Sequence, residues 1–320
     1  MRLNRRQLMT TLTAFAALPA ATQAADAPLS VTATTGMIAD TARNVAGDLA
    51  QVQALMGPGV DPHSYRQTRT DIVTLSRSDL ILRNGHYLEA QLVELFDKLS
   101  SQRPITAVAE AVPTDDVIYN TIYEGRPDPH IWMVPALWTH AITATRDAII
   151  DLRPEAADQL RANAEAYIAE AQAAESYARE TLATVPEQSR VLVTAHDAFA
   201  YFGRAYGFDV LGIQGISTES EAGLARIREL VDTLVNREIS AVFVESSVSD
   251  RNVRALIEGA AARGHRVQIG GELYSDAMGQ PGTYEGTWLG MVDHNATTIT
   301  RALGGEAPAS GRLGKLSAGL

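Results

Sequence analysis

The chain has 320 residues, a formal charge of −11 at pH 7 and no cysteine. So acidic a surface speaks against nucleic acid or an anionic membrane as partner and mildly favours cations. The lack of thiols excludes a disulfide framework, a thiolate metal site and a lipid-modified cysteine, so any metal must be held by nitrogen and oxygen.

In chain order, residues 1–24 have the layout of an export signal: Arg2, Arg5 and Arg6, then an apolar run over 8–18, then Thr22-Gln23-Ala24 as a cleavage site. Arg5-Arg6 followed by Gln-Leu-Met also fits a twin-arginine signal loosely. The apolar run is too short to span a bilayer, and no later segment supplies roughly 18 uninterrupted apolar residues. The expectation is a periplasmic, unlipidated protein with no stable membrane insertion. Removing the signal takes three arginines and moves the charge from −11 to −14, leaving about 296 residues, enough for two domains.

Strands are expected over 29–34, 52–56, 79–83 and 105–108, and helices over 36–46, 67–77 and 87–99. That βα rhythm implies a mostly parallel sheet flanked by helices. A helix follows over 137–152. From Pro154 to about Thr184 the chain is rich in Ala, Glu, Gln and Arg without glycine, which reads as one stiff connecting helix of about 30 residues, or about 45 Å. A second βα set follows, with strands over 190–195, 209–214, 241–244 and 266–269 and helices over 199–206, up to about 235, 251–263 and 286–303. Thr218-Glu-Ser-Glu221 reads as a capping box opening the helix that ends near 235, and the tail from Gly304 reads as frayed. The chain divides accordingly into an α/β unit over 25–152, a connector over 153–186 and a second α/β unit over 187–320.

Seven histidines are present, and two of them end a repeated tripeptide: Asp61-Pro62-His63 and Asp128-Pro129-His130. A proline stiffens each loop just ahead of its imidazole. His196 ends the apolar run 190–195, and Asp276 sits in Tyr274-Ser-Asp-Ala-Met-Gly279. Taken singly, each has a bland reading: a solvated turn histidine, a packed histidine, a helix cap, an Asx-turn. Together, three imidazoles and one carboxylate make a transition-metal ligand set. Glu245, ending Val242-Phe-Val-Glu, is a rival fourth ligand or a carboxylate that orients an imidazole from behind. Trp132 is a candidate apolar wall that keeps water out. His86, His140, His265 and His294 read as non-ligands.

The order Asp-Pro-His63, Pro-His130-Ile-Trp, Thr-Ala-His196-Asp-Ala-Phe and Tyr-Ser-Asp276-Ala-Met-Gly resembles the metal-binding (cluster A-I) solute-binding proteins of zinc and manganese ABC importers. Glu245-Ser-Ser and the stretch from Gly282 to Asn295 are similar to that family too. The resemblance implies two α/β lobes, each a mostly parallel sheet flanked by helices, bridged by one long rigid helix with limited lobe motion. His63 and His130 from the first lobe and His196 and Asp276 from the second would hold the ion. A membrane permease with a cytoplasmic ATPase would be the partner of a monomeric carrier that is not an enzyme.

Zinc-specialised members often carry a long His- and acid-rich loop before the second histidine. Here residues 113–127 are short, with Asp115, Asp116 and Glu124 and no histidine. The manganese branch typically places Glu where this chain has His196. By donor chemistry a His₃Asp set favours Zn²⁺, with Mn²⁺ second and Fe²⁺ third. Two other readings stand beside the carrier: a secreted zinc hydrolase with Glu245 as general base, and a metal-stabilised adhesin.

Overall fold

The computed structural model describes residues 27–120 and 125–317; the expected export signal over 1–24 and Glu124 lie outside them. The first half comprises β1 (Leu29–Ala33), α1 (Gly36–Ala46), β2 (Ala50–Ala54), α2 (Arg69–Arg77), β3 (Leu80–Arg83), α3 (Val93–Ser100) and β4 (Ile105–Ala107). These strands form one parallel sheet in the order β2-β1-β3-β4. Central β1 is buried along nearly its whole length, whereas β2 at the edge alternates half-buried and exposed residues, as an edge with one wet face should.

α2 begins at Arg69, later than expected, because Thr68 caps it: its hydroxyl accepts the Asp71 N–H and the Asp71 carboxylate accepts the Thr68 N–H. The helix expected over 87–99 shrinks to a 3₁₀ turn at Ala90–Leu92 and then α3. His86 and Tyr87 adopt left-handed φ values of 52° and 62°. Glu89 explains the break: its buried carboxylate accepts the N–H groups of Asn84 and Gly85 and the Thr34 hydroxyl, folding the turn back on itself.

A short antiparallel pair, β5 (Tyr119–Asn120) and β6 (Arg126–Pro127), precedes α4 (Pro135–Leu152) and α5 (Ala157–Leu182). α5 is shorter than expected, at 26 residues or about 39 Å. Pro154 opens a separate 3₁₀ turn, Pro154–Ala156, and the α-helix starts only after it. Its buried residues Leu160, Ala164, Tyr167, Ala171, Ala174, Ala178 and Thr181 recur at alternating steps of four and three. That spacing keeps one stripe facing inward, and its alanines let α4 and the last helix pack close.

The second half carries β7 (Val191–Thr194), α6 (Ala200–Tyr206), β8 (Asp209–Gly212), α7 (Leu224–Asn236), β9 (Ala241–Glu245), α8 (Arg251–Ala262), β10 (Gln268–Leu273) and α9 (Trp288–Ala302). Its strands form two parallel pairs, β7 with β8 and β9 with β10. The α/β class with parallel sheets flanked by helices is as expected. Two local expectations are overturned. Thr218 and Glu221 do not cap α7, which opens at Gly223 without a side-chain cap. Nor is the tail frayed: Asp293 accepts the Arg312 N–H, Glu285 accepts the Ser317 N–H, and Leu316 is buried.

The largest apolar core runs through both halves, joining Val31 and Ile38 to Trp132, Trp138, the α5 alanines, Trp288 and Met291. Asp40 pins the junction of three helices: its Oδ2 accepts the Tyr167 hydroxyl of α5 at 2.8 Å and the Trp288 N–H of α9 at 3.0 Å. Among the described residues no helix is long and apolar enough to cross a membrane.

Candidate metal centre

Each Asp-Pro-His tripeptide folds the same way locally. Asp61 Oδ1 accepts the His63 N–H at 2.9 Å, and Asp128 Oδ1 accepts the His130 N–H at 2.9 Å. This is the Asx-turn, in which the aspartate carboxylate accepts the peptide N–H two residues on, with proline between to limit the alternatives. The side chains then diverge. Asp128 Oδ1 also lies 2.7 Å from Nδ1 of its own histidine. Asp61 instead turns Oδ2 away, accepting the Ser64 hydroxyl at 2.8 Å and the Thr218 hydroxyl at 2.5 Å.

His196 follows β7 and is held from the neighbouring strand β9. Glu245 Oε1 accepts the His196 N–H at 2.9 Å and Oε2 sits 2.5 Å from His196 Nδ1. The Thr194 hydroxyl donates to the His196 carbonyl at 2.8 Å. Gly212, at the end of β8, lets this turn close, because a Cβ there would lie 2.7 Å from the Asp197 nitrogen. Asp276 follows β10. Its preceding carbonyl, that of Ser275, accepts the Trp132 indole N–H at 2.8 Å, and the Asn295 amide clamps both backbone groups of Tyr274.

The consequence is convergence. One ligand atom from each of His63, His130, His196 and Asp276 lies within 4.8 Å of all the others, and all four residues are buried. His63 Nε2 is 3.3 Å from His130 Nε2 and 3.8 Å from Asp276 Oδ2. Asp276 Oδ1 is 3.5 Å from His130 Nε2, and Oδ2 is 3.2 Å from His196 Nε2. A tetrahedron around zinc with bonds of about 2.0–2.1 Å has edges of roughly 3.3–3.4 Å; three of these spacings lie near that value, and the four donors together spread over a range of up to 4.8 Å. His196 Nε2 and both Asp276 oxygens are buried without a hydrogen-bond partner, a costly arrangement unless a cation joins them.

The charges are set by the same packing. Burial pushes the Asp276 carboxyl up, but His196, His63 and His130 outweigh it and hold it well below the usual carboxylate range. Burial would strip the proton from His196, yet Glu245 and Asp276 prevail and hold its pKa well above the ordinary value. For His63 burial wins over Asp276 and brings the pKa down to about 4.

Glu245 therefore stands behind His196, with both oxygens turned to that residue. Trp132 is more than a wall: its ring lies edge-on to His130 at 5.1 Å, and its carbonyl accepts the Trp288 indole N–H. His265 and His294 meet the carbonyls of Ile239 and Glu272, His140 sits on α4, and none joins the cluster. His86 lies apart from the four ligand atoms but shares with His63, Tyr87, Arg126, Ile216 and Glu219 the lining of a hollow of about 120 Å³. Sequence reasoning missed Asp128 as the partner of His130; the signal was the aspartate inside the repeated tripeptide itself.

The chain is similar to known proteins along nearly its whole described length. The profile of the family described as zinc-uptake complex component A, periplasmic, matches residues 31–302. The chain is 48% identical over 282 residues to the manganese-binding lipoprotein MntA of Bacillus subtilis, covering 88% of this chain and 92% of that one. It is 45% identical over 280 residues to the zinc-binding protein TroA of Treponema pallidum, covering 88% and 90%. The solved structure of the periplasmic zinc-binding protein TroA superposes with a TM-score of 0.84 over 86% of this chain and 99% of that one, at 44% identity. These relatives are binding proteins and lend no support to the hydrolase or adhesin readings. The chain belongs to the zinc-uptake complex component A family of periplasmic metal-binding proteins.

Proposed function

We propose that this protein captures a divalent transition-metal ion in the periplasm through His63, His130, His196 and Asp276 and delivers it to the membrane permease of an ABC importer driven by a cytoplasmic ATPase. One observation carries the reading: four buried donor atoms from four separate loops lie within 4.8 Å of each other. Asp128 and Glu245 hold Nδ1 of His130 and His196, so each ring turns Nε2 toward the ion, and they raise the basicity of both ligands. With Asp276 they set three carboxylates against two positive charges.

Zinc is the favoured cargo, because three imidazoles and one carboxylate suit it. Manganese is the second reading, favoured by the 48% identity to a relative named for manganese. The protein acts as a carrier and not as an enzyme, since Asp276 occupies the position a hydrolytic water needs. Residues 1–24 act as the export signal, 25–152 and 187–320 form the two lobes, and 153–186 connect them. In this reading the carrier works as a monomer.

Metal analysis of protein exported from its native host, joined to metal uptake in a strain lacking it, tests this. Stoichiometric zinc and a zinc-uptake defect are expected. Protein exported without transition metal, and uptake that is unchanged, would sink the proposal.

A further inference from the structure

The three imidazoles are not held alike. His130 and His196 each have a carboxylate at Nδ1, whereas among the described residues no carboxylate meets Nδ1 of His63. His63 is also the ligand that lines the hollow of about 120 Å³. Its position is therefore set by its loop, and that loop is fixed by Asp61, whose Oδ1 accepts the His63 N–H at 2.9 Å.

The other oxygen of Asp61 crosses to the second half of the chain. It accepts the hydroxyl of Thr218, from the segment between β8 and α7, at 2.5 Å. Next to it, the Gln91 amide donates to Glu219, so the same segment is tied twice to the first half. Ile216, Ser217 and Glu219 line the hollow together with His86 and Tyr87. The Thr-x-x-Glu pattern at 218–221 is thus spent on a tertiary contact and not on a helix cap.

We propose that Thr218 is a positioning residue for metal retention: by holding Asp61 from the second half of the chain, it keeps His63 on the ion and sets the rate of metal loss. The inference rests on the metal-site reading above. The other two imidazoles keep their own carboxylate supports, so loosening this contact frees one ligand and leaves a three-donor site from which the ion escapes. A threonine hydroxyl and a carboxylate give a charge-assisted bond, worth about tenfold in rate if lost.

The test loads the full chain with Zn²⁺ alone and follows transfer to an excess chromogenic chelator by stopped flow. Thr218→Val is expected to lose zinc about tenfold faster, and Thr218→Ser, which restores the hydroxyl, to stay within about twofold of the unmutated protein. In an Asp61→Ala background Thr218→Val should add nothing, because the hydroxyl acts through that carboxylate. A Thr218→Val rate equal to the unmutated one, a Thr218→Ser rate as fast as Thr218→Val, or full additivity with Asp61→Ala overturns the proposal. Hydrogen exchange on unmutated protein provides a check that needs no variant. Residues 61–65 and 216–221 should open at one shared rate, and independent rates count against the link. Unmutated protein that takes up no zinc overturns the metal-site reading itself, and this inference with it.

Discussion

The Glu245 carboxylate grips His196 at two points, accepting its peptide N–H at 2.9 Å and meeting its Nδ1 at 2.5 Å. The end of β9 thereby fixes both the backbone and the ring of a residue just past β7. Glu245→Gln keeps the shape and loses the charge. Zinc affinity should fall about 10- to 100-fold while the metal-free circular dichroism spectrum is unchanged. Competition titration against a chelator measures it, and Asp128→Asn should act the same way through His130.

Asp276 is the sole carboxylate among the four converging donors, and neither of its oxygens has a hydrogen-bond partner. Asp276→Ala should weaken zinc binding by more than Glu245→Gln does. A carrier loses its cargo; a hydrolase would keep the ion and change only its rate. Equilibrium dialysis of the variant distinguishes the two.

Zinc must displace a proton from His196, whose pKa is raised, but finds His63 already neutral above about pH 4. Affinity should therefore rise with pH between about pH 5 and 7, with at least the His196 proton leaving as the ion binds. Calorimetry in buffers of different ionisation enthalpy counts that proton, and a release near zero at pH 6 contradicts the assignment. The two histidines act oppositely on the metal-free fold. With its pKa raised, His196 contributes stability that is full below the ordinary 6.5 and fades as pH climbs through its folded value. With its pKa lowered, His63 costs stability as pH falls from 6.5 towards about 4.

Bound metal should also stabilise the fold. At free zinc about 1,000 times Kd the gain is about 4 kcal/mol, which for a chain of this size corresponds to a rise in Tm of roughly 6 °C. Thermal melts with zinc and then with excess chelator should show the rise and its reversal.

Away from the site, Asp40→Ala leaves the Tyr167 hydroxyl and the Trp288 N–H without their acceptor. The expected cost is about 2–4 kcal/mol, and Asp40→Asn, which keeps an acceptor oxygen, should cost about 1 kcal/mol. Urea denaturation of the metal-free proteins ranks them.

What could be read from the sequence was whatever depends on neighbours along the chain. Apolar runs placed the strands to within a few residues, the alanine-rich stretch marked α5, and the proline-framed histidines marked two ligand loops. What escaped depends on distant partners. Glu89, reaching back to Asn84 and Gly85, breaks a helix that periodicity supports. Thr218 finds Asp61, far away in sequence, before it can cap α7. The glycine-rich tail looks loose by composition, yet Asp293 and Glu285 tie it down. The repeated Asp-Pro-His encodes the turn but not the use of its aspartate, which meets a ring nitrogen in one copy and reaches Thr218 in the second half of the chain in the other.

The alanine stripe of α5 has a bearing on how such a carrier empties. A helix in contact with its neighbours along the whole of one face, and joined to α1 and α9 through Asp40, has no bare stretch at which to bend. On the carrier reading proposed above, spontaneous gaping is expected to be rare, so that cargo stays put while the protein diffuses. Discharge becomes work done on the carrier from outside, at the membrane, where the importer's fuel can be coupled to it.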